Sequence, residues 1–442
     1  MGIITTGHAL LLHRHRRIID TVDDDSLVRK ENTMDLHERL KHIRALQQTN
    51  TEDTPAMTPA GASSVTESRH PPLEALVQGV WRERQGCRCL LRERALPLTH
   101  LHGDLPLNAL LDIPSHVWIP FVVGGDGAAI DPRDLLFLDI ETTGLARGSG
   151  TYAFLVGLGS FVDDAFCVRQ YLMPDYDSEA ALLSFLDDEL ARCTGLVSFN
   201  GRTFDWPILQ ARYLLAQHPP PFSGEPHLDL LSLARRLWRR MLPSCALSSL
   251  EIDILAVQRE GEDVPGYLIP ALYHDFVRYG RTRPMARVFY HNLIDLLSMV
   301  TLAARAGALL TDPEAQEVQA YCDDFALGRL YERLDDVDAA IAAYRRAGDT
   351  AAEPLSLLLK RLGRYEEAMA VWRARLGCGE IYPYVELAKQ YEHRLRDLES
   401  ARAIVLAAMA ELAQLSDTPH RRDLRRDLQH RLSRLERRLD SN

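Results

Sequence analysis

The run Asp134-Leu-Leu-Phe-Leu-Asp-Ile-Glu-Thr-Thr-Gly144 decides how this chain folds. Leu135–Ile140 is a short, continuous apolar stretch ending in acids, too short for a helix and typical of a strand buried on both faces. Side chains two apart on a strand point the same way, so Asp139 and Glu141 project together. Adjacent carboxylates repel each other and become favourable partners when they bind a divalent cation. Hard oxygen donors of this kind suit Mg2+ or Mn2+. Taken alone, a D-x-E pair is equally a solvated acidic strand end, so its surroundings must decide.

Working outward, Thr151–Phe161 and Phe166–Met173 read as two more strands joined by a turn at Asp163-Asp164. Asp177–Arg192 has helical spacing at Leu182, Leu183, Leu186 and Leu190, with Asp177 or Ser178 as the expected N-cap. A fourth strand at Leu196–Phe199, a helix at Asp205–Leu215 with Pro207 in its first turn, and a fifth strand at His227–Leu230 follow. Leu231–Met241 and Ala286–Ala306 read as helices. A three-stranded meander followed by helix–strand alternation implies an α/β fold, a mixed sheet with flanking helices.

Two further segments bear on chemistry. Ser198-Phe-Asn-Gly-Arg-Thr-Phe-Asp-Trp-Pro207 sets Asp205 at a helix start after the fourth strand, a position that Asp also takes as an ordinary N-cap. Tyr290-His-Asn-Leu-Ile-Asp295 lies inside the long helix, where His291 and Asp295, four apart, share one face. An Asp in an apolar helical stretch is costly to bury unless paired or metal-bound. Either residue alone would pass as part of a polar stripe; the two together do so less readily. Asp229, which ends the fifth strand, reads as structural.

In this order and on these elements, the three segments resemble the exonuclease motifs of the DEDD 3′–5′ exonuclease superfamily, and the YprB-type ribonuclease H-like domain most of all. The phrases Gly150-Thr-Tyr-Ala-Phe-Leu-Val-Gly157, Pro243-Ser-Cys245-x-Leu247-x-x-Leu250-Glu251 and Ile269-Pro270-x-Leu272-Tyr273 extend the likeness to about 170 residues. The resemblance implies that Asp139, Glu141, Asp205 and Asp295 hold two divalent cations, Mg2+ or Mn2+, with His291 orienting or deprotonating the attacking water. One departure stands out: the family places His five residues, or Tyr four residues, before the last Asp. Here Tyr290 is five back and His291 four back, and helical geometry favours His291.

A nuclease also grips its strand. Arg235, Arg236, Arg239 and Arg240 recur on one helical side, and arginine's planar fork suits phosphate oxygens, although any one of them taken singly is better explained by a solvated helix face. Phe204, Trp206 and Tyr290 offer stacking surfaces for a terminal base, Trp206 serving equally well as core, while Thr142 and Asn200 are candidates for contacting a 3′ end. The expected partner is nucleic acid, DNA or RNA, and the expected activity is 3′–5′ exonuclease. A structure-selective endonuclease on the same fold is the alternative within hydrolases. A repeat-based scaffold or nucleic-acid-binding protein with a vestigial nuclease fold is the alternative outside them.

The 442 residues are too many for one compact domain. The 46% hydrophobic and 26% charged fractions are those of a globular chain, and the net charge of −11 argues against a protein that coats nucleic acid non-specifically. No continuous apolar run is long enough for a membrane span. Seven scattered cysteines show neither a disulfide framework nor zinc spacing, so a cytoplasmic setting is expected. Residues 1–72, with an amphipathic stretch at Met34–Leu46 and a Thr/Ser/Pro-rich linker from Asn50, read as poorly ordered; residues 73–130 read as an accessory region before the nuclease domain at 131–308. From 312 to 442 the chain reads as all-α. Leu334–Tyr344 and Leu362–Trp372 resemble each other, Arg394–Val405 is a weaker copy, and Ala340, Ala368 and Ala401 recur at intervals of 28 and 33 residues. Together with Leu327-Gly328-x-x-Tyr331, this resembles a tetratricopeptide array of roughly 34-residue period with a capping helix from Pro419, a surface suited to a protein partner.

Overall fold

The computed structural model describes residues 71–124, 130–131, 134–144, 150–259, 261, 263–416 and 418–440. The expected helix at Met34–Leu46 and nearly all of the expected linker lie outside the described residues. The chain divides into two compact units, Met1–Cys322 and Asp323–Asn442.

The first unit is built on one mixed sheet. Its strands in chain order are β1 (Val80–Arg84), β2 (Cys87–Pro97), β5 (Val122–Val123), β6 (Leu136–Thr142), β7 (Ala153–Val162), β8 (Ala165–Leu172), β9 (Leu196–Ser198) and β10 (His227–Asp229), while β3 (Leu101–His102) and β4 (Leu105–Pro106) form a separate small ribbon. Their spatial order is β1-β2-β8-β7-β6-β9-β10-β5. β6 therefore lies in the interior, antiparallel to β7 and parallel to β9, and Phe137, Leu138 and Ile140 are buried as the apolar run requires.

Residues 73–130 are not a separate accessory region. They supply β1, β2 and β5, strands at both ends of the main sheet. β2 pairs with β8 from Leu90↔Leu172 to Pro97↔Ala165, covering what would otherwise be an open edge. The mixture of arginines and apolar residues in Cys87–Pro97 hides this strand from any simple period.

Helices α1 (Leu73–Val77), α2 (Glu179–Leu190), α3 (Asp205–Leu215), α4 (Leu230–Trp238), α5 (Leu247–Asp253), α6 (Ile269–Tyr279), α7 (Thr282–Thr311) and α8 (Gln316–Gln319) complete the unit. Neither Asp177 nor Ser178 caps α2 through its side chain; the Asp175 carboxylate instead accepts the Ser178 N–H and caps the short turn Tyr176–Ser178 ahead of it. α7 has the length and apolar composition of a membrane span, but most of its apolar residues are buried inside this unit, so it serves as the core helix against the sheet. It starts four residues before the expected Ala286, where the Thr282 hydroxyl donates to the Pro71 carbonyl.

The second unit is a succession of helices: α9 (Asp324–Arg333), α10 (Val337–Ala347), α11 (Ala352–Arg361), α12 (Tyr365–Ala374), α13 (Tyr382–Lys389), α14 (Leu398–Gln414) and α15 (Pro419–Leu439). α9 packs on α10, α11 on α12, α13 on α14 and α14 on α15. The recurring Ala340, Ala368 and Ala401 are all fully buried, where small side chains let helices approach closely. Gly328 meets the Tyr344 ring so closely that a Cβ there would lie 2.3 Å from it.

Candidate active site

Asp139 and Glu141 are the two partly exposed residues in the otherwise buried run Leu136–Thr142, so both face the same side of β6. β9 pairs with β6 only at Leu136 and Phe137, so further along β6 the N–H groups on the side away from β7 have no strand partner. The Ile140 N–H is taken instead by Asp205, whose Oδ1 accepts it at 3.1 Å. The second acidic segment is thus bonded to the backbone between the two acids of the first.

Asp205 is held in place by its own loop. Asn200 takes a left-handed conformation (φ 66°), and the Asp229 carboxylate accepts the N–H groups of Asn200 (2.9 Å), Arg202 (3.3 Å) and Leu231 (3.1 Å). Asp229 therefore caps α4 and pins the turn leading into α3.

Asp139 is aimed by a polar row across four strands. Arg92, Gln170, Gly157 and Asp139 stand opposite one another in consecutive pairs on β2, β8, β7 and β6. Arg92 Nη1 donates to Gln170 Oε1 (2.8 Å), Gln170 Nε2 donates to Asn292 Oδ1 (2.7 Å), and Asn292 Nδ2 donates to Asp139 Oδ2 (2.7 Å). Asn292, on α7, reaches over Gly157; a Cβ at that position would lie 2.1 Å from its Oδ1. Only glycine leaves room for that contact.

The third segment presents His291 and Asp295 on one face of α7, with His291 Nε2 3.7 Å from Asp295 Oδ2. Tyr290, one residue earlier, is half-buried and turned about 100° around the helix from His291. His291 Nδ1 is 2.8 Å from Asp263 Oδ1 and 3.0 Å from Arg259 Nη1. Arg259 also binds Asp295 and grips Glu251 through Nε (2.7 Å) and Nη2 (2.6 Å). Behind it, Ser298 Oγ donates to Glu251 Oε1 (2.6 Å) and meets His102 Nε2 (2.8 Å).

The electrostatics show that the acids face one another. Burial, then the charges of Asp295, Glu141 and Asp205, push Asp139 well above the usual carboxylate range. Burial and the charges of Asp295 and Asp205 do the same to Glu141. Burial raises Asp205 to about 7 even though the Ile140 N–H favours its charged form. For His291, burial favours the neutral ring, but Asp295 and the bond to Asp263 outweigh it, and the pKa rises.

Asp139, Glu141, Asp205, His291 and Asp295 are thus brought together. The other expected contacts are placed differently. The Thr142 hydroxyl donates to the Gly144 carbonyl, shaping its own turn. Asn200 is exposed, and its Oδ1 accepts from the Thr203 hydroxyl. Phe204 is half-buried against the core, and Trp206 is a core residue edge-on to Phe222. Arg235 is half-buried on α4 and Arg239 exposed just past its end. Reading the sequence alone missed Arg259, Asp263, Asn292 and Gln170. Asn292 lies inside the third motif and Glu251 inside a quoted phrase, but Arg259 and Asp263 follow a short helix in a loop without period.

Four hard-oxygen side chains converge, short of positive charge, and this donor chemistry fits divalent cations. Among the described residues, no three acidic, His or Cys side chains are already closed around a common point, and Asp295 is paired with Arg259.

Residues 136–306 match the family model of the RNase H superfamily. Across 370 residues the chain is 31% identical to the protein YprB of Bacillus subtilis (strain 168), covering 80% of this chain and 87% of that one. With the mixed sheet and its central acidic strand, these matches place the chain in the RNase H superfamily, in the family of YprB.

Proposed function

We propose that this protein is a divalent-metal-dependent nuclease that removes nucleotides from the 3′ end of DNA or RNA. The observation that carries this reading is the meeting of Asp139, Glu141, Asp205 and Asp295, from three distant segments, where the charge of Asp295 raises the cost of ionising the other three. Asp139, Glu141, Asp205 and Asp295 would hold Mg2+ or Mn2+, and the bound cations would supply an activated water and stabilise the departing 3′ oxygen.

The protein's own groups prepare the rest. Asn292 fixes the Asp139 carboxylate and Ile140 fixes that of Asp205, so neither must reorganise during the reaction. When His291 Nδ1–H donates to Asp263, the lone pair is on Nε2, the atom on the Asp295 side and the one free to take a proton from the attacking water. The raised His291 pKa suits that uptake. Thr142, Asn200, Phe204, Arg235, Arg239 and Tyr290 are proposed substrate contacts, and the helical unit a tetratricopeptide-like platform for a protein partner.

The test is digestion of 3′- and 5′-labelled single- and double-stranded DNA and RNA with and without Mg2+ or Mn2+. Stepwise loss from the 3′ end is expected, and none from Asp139→Asn or Asp205→Asn. Cutting of end-blocked circles would replace exonuclease with endonuclease. Equal activity in both variants and the parent would remove the mechanism.

A further inference from the structure

Arg259 is chemically conspicuous at this site. Its side chain is 13% exposed, yet it sits among Glu251, Asp263 and Asp295, all of them acids, and His291. Its guanidinium is divided between two tasks. Nε and one edge of Nη2 are locked on the Glu251 carboxylate, which is itself buried and tied to Ser298. The remaining hydrogens reach forward: Nη2 to Asp295 Oδ1, and Nη1 to Asp263 Oδ2 at 3.2 Å.

Asp295 is the acid that the neighbouring three all feel, and one of its two oxygens is engaged by Arg259 while the other faces His291. A divalent cation needs oxygen lone pairs from Asp295 and brings two positive charges beside the guanidinium. Both cannot keep the same carboxylate on equal terms, since like charges at contact distance in a partly buried site repel each other strongly.

Building on the metal-dependent reading above, we propose that Arg259 is the site's internal counter-cation, occupying Asp295 until a divalent cation takes its place. The Glu251 clamp keeps the guanidinium in position after the exchange, so Arg259 steps back by one hydrogen bond instead of leaving. In the metal-free protein this contact offsets the mutual repulsion of the acids and keeps α7 seated. Its consequence is that metal affinity is lower than the four carboxylates alone would give.

A simple positioning role predicts the opposite sign, which makes the inference testable by binding alone. Mn2+ is titrated calorimetrically into the full chain, Arg259→Gln, the pair Glu251→Gln/Arg259→Gln, and Asp139→Asn, with melting curves for each. Removing the competitor should tighten Mn2+ binding about 5–10-fold in Arg259→Gln, the factor expected if the competent state of Asp295 is a minority in the parent. The pair, which does not leave the buried Glu251 carboxylate without its arginine, should tighten in the same direction. Unchanged or weaker binding in a variant that melts as a folded protein overturns the inference and leaves Arg259 as a structural clamp. If the parent binds Mn2+ no better than Asp139→Asn, the metal reading fails first and this inference with it. Should both variants fail to fold, arginine side-chain NMR of the parent decides: the Arg259 Nη signals should shift on adding Mg2+, and unmoved signals overturn the exchange.

Discussion

Asp139 in the sheet unit and Glu392 in the helical unit are both carboxylates that burial pushes toward the neutral form, and their surroundings differ in sign. Glu392, on the π-helical stretch Gln390–Leu395, has a fully buried side chain that accepts from Arg431 Nη1 (2.7 Å), Arg434 Nη2 (2.8 Å) and Arg438 Nη1 (3.1 Å). Those arginines lie on one flank of α15 at positions i, i+3 and i+7. Burial alone would raise the Glu392 pKa, but Arg434, His393 and Arg431 hold it below the usual range. Asp139 has other acids around it and is pushed the opposite way. The helical unit over-neutralises its buried acid and gains a joint between helices. The sheet unit leaves its acids under-neutralised, a destabilising arrangement unless a ligand cation completes it.

That contrast can be broken most directly at the acids. Asp139→Asn and Asp205→Asn should each lose roughly 10³-fold or more in metal-dependent cleavage. Without metal, Asp139→Asn should melt higher than the parent by about 2–4 °C, as expected for ~1 kcal/mol in a unit of this size. A lower melting point would mean that Asp139 is not repelled by its neighbours. Glu392→Gln should do the reverse, lowering the stability of the helical unit by about 2 kcal/mol. That is below the usual figure for a broken buried pair because Arg434 and Arg438 are nearly half exposed. Its Mn2+ titration should match the parent's.

Two glycines sharpen the same comparison. Gly157→Ala forces a Cβ into Asn292, and Gly328→Ala forces one into the Tyr344 ring. Each should cost about 1–3 kcal/mol of stability, but only Gly157→Ala should weaken Mn2+ binding, because only Asn292 holds a candidate ligand. Equal Mn2+ affinities in the two variants would detach the polar row from the site.

Proton linkage gives the smallest and most diagnostic effect. The folded pKa of Asp205, about 7, lies above its unfolded value, so up to about pH 7, and hence between pH 6 and 7, the folded state keeps most of a proton that the unfolded state has already released. Stability of the metal-free sheet unit should therefore fall by ~1 kcal/mol as pH rises through that window, and saturating Mg2+ should flatten the slope. Glu392 has a lowered folded pKa, so its contribution is present above the usual carboxylate range and is lost as pH falls through and below it. Chemical denaturation at several pH values should show the two units responding with opposite slopes.

The centre of the fold was legible because its signals are local. An apolar run ending in D-x-E, an Asp opening a helix and an i,i+4 His–Asp pair each constrain a side chain through its own element. What escaped depends on partners far along the chain. β2 becomes a strand of the main sheet because β8 needs a neighbour, which no period within Cys87–Pro97 announces. Arg259 reads as a loop arginine until Asp295, 36 residues on, meets it. Asn292 sat inside a recognised motif without a role, since its target is a strand more than 150 residues earlier and its access depends on the absent side chain of Gly157. The arginines of α4 were read for their shared helical side and their fork, and neither says which way that side faces in the fold.

The Arg92–Gln170–Asn292–Asp139 row also bears on dissection of the protein. Its first member lies well upstream of residue 136, where the match to the superfamily begins. A fragment cut to that match would shed β1 and β2, leave β8 as a naked edge ready to recruit other chains, and untether the far end of the row. A sheet-side fragment that keeps the row should retain β1, β2 and Pro71, whose carbonyl accepts from the Thr282 hydroxyl at the start of α7.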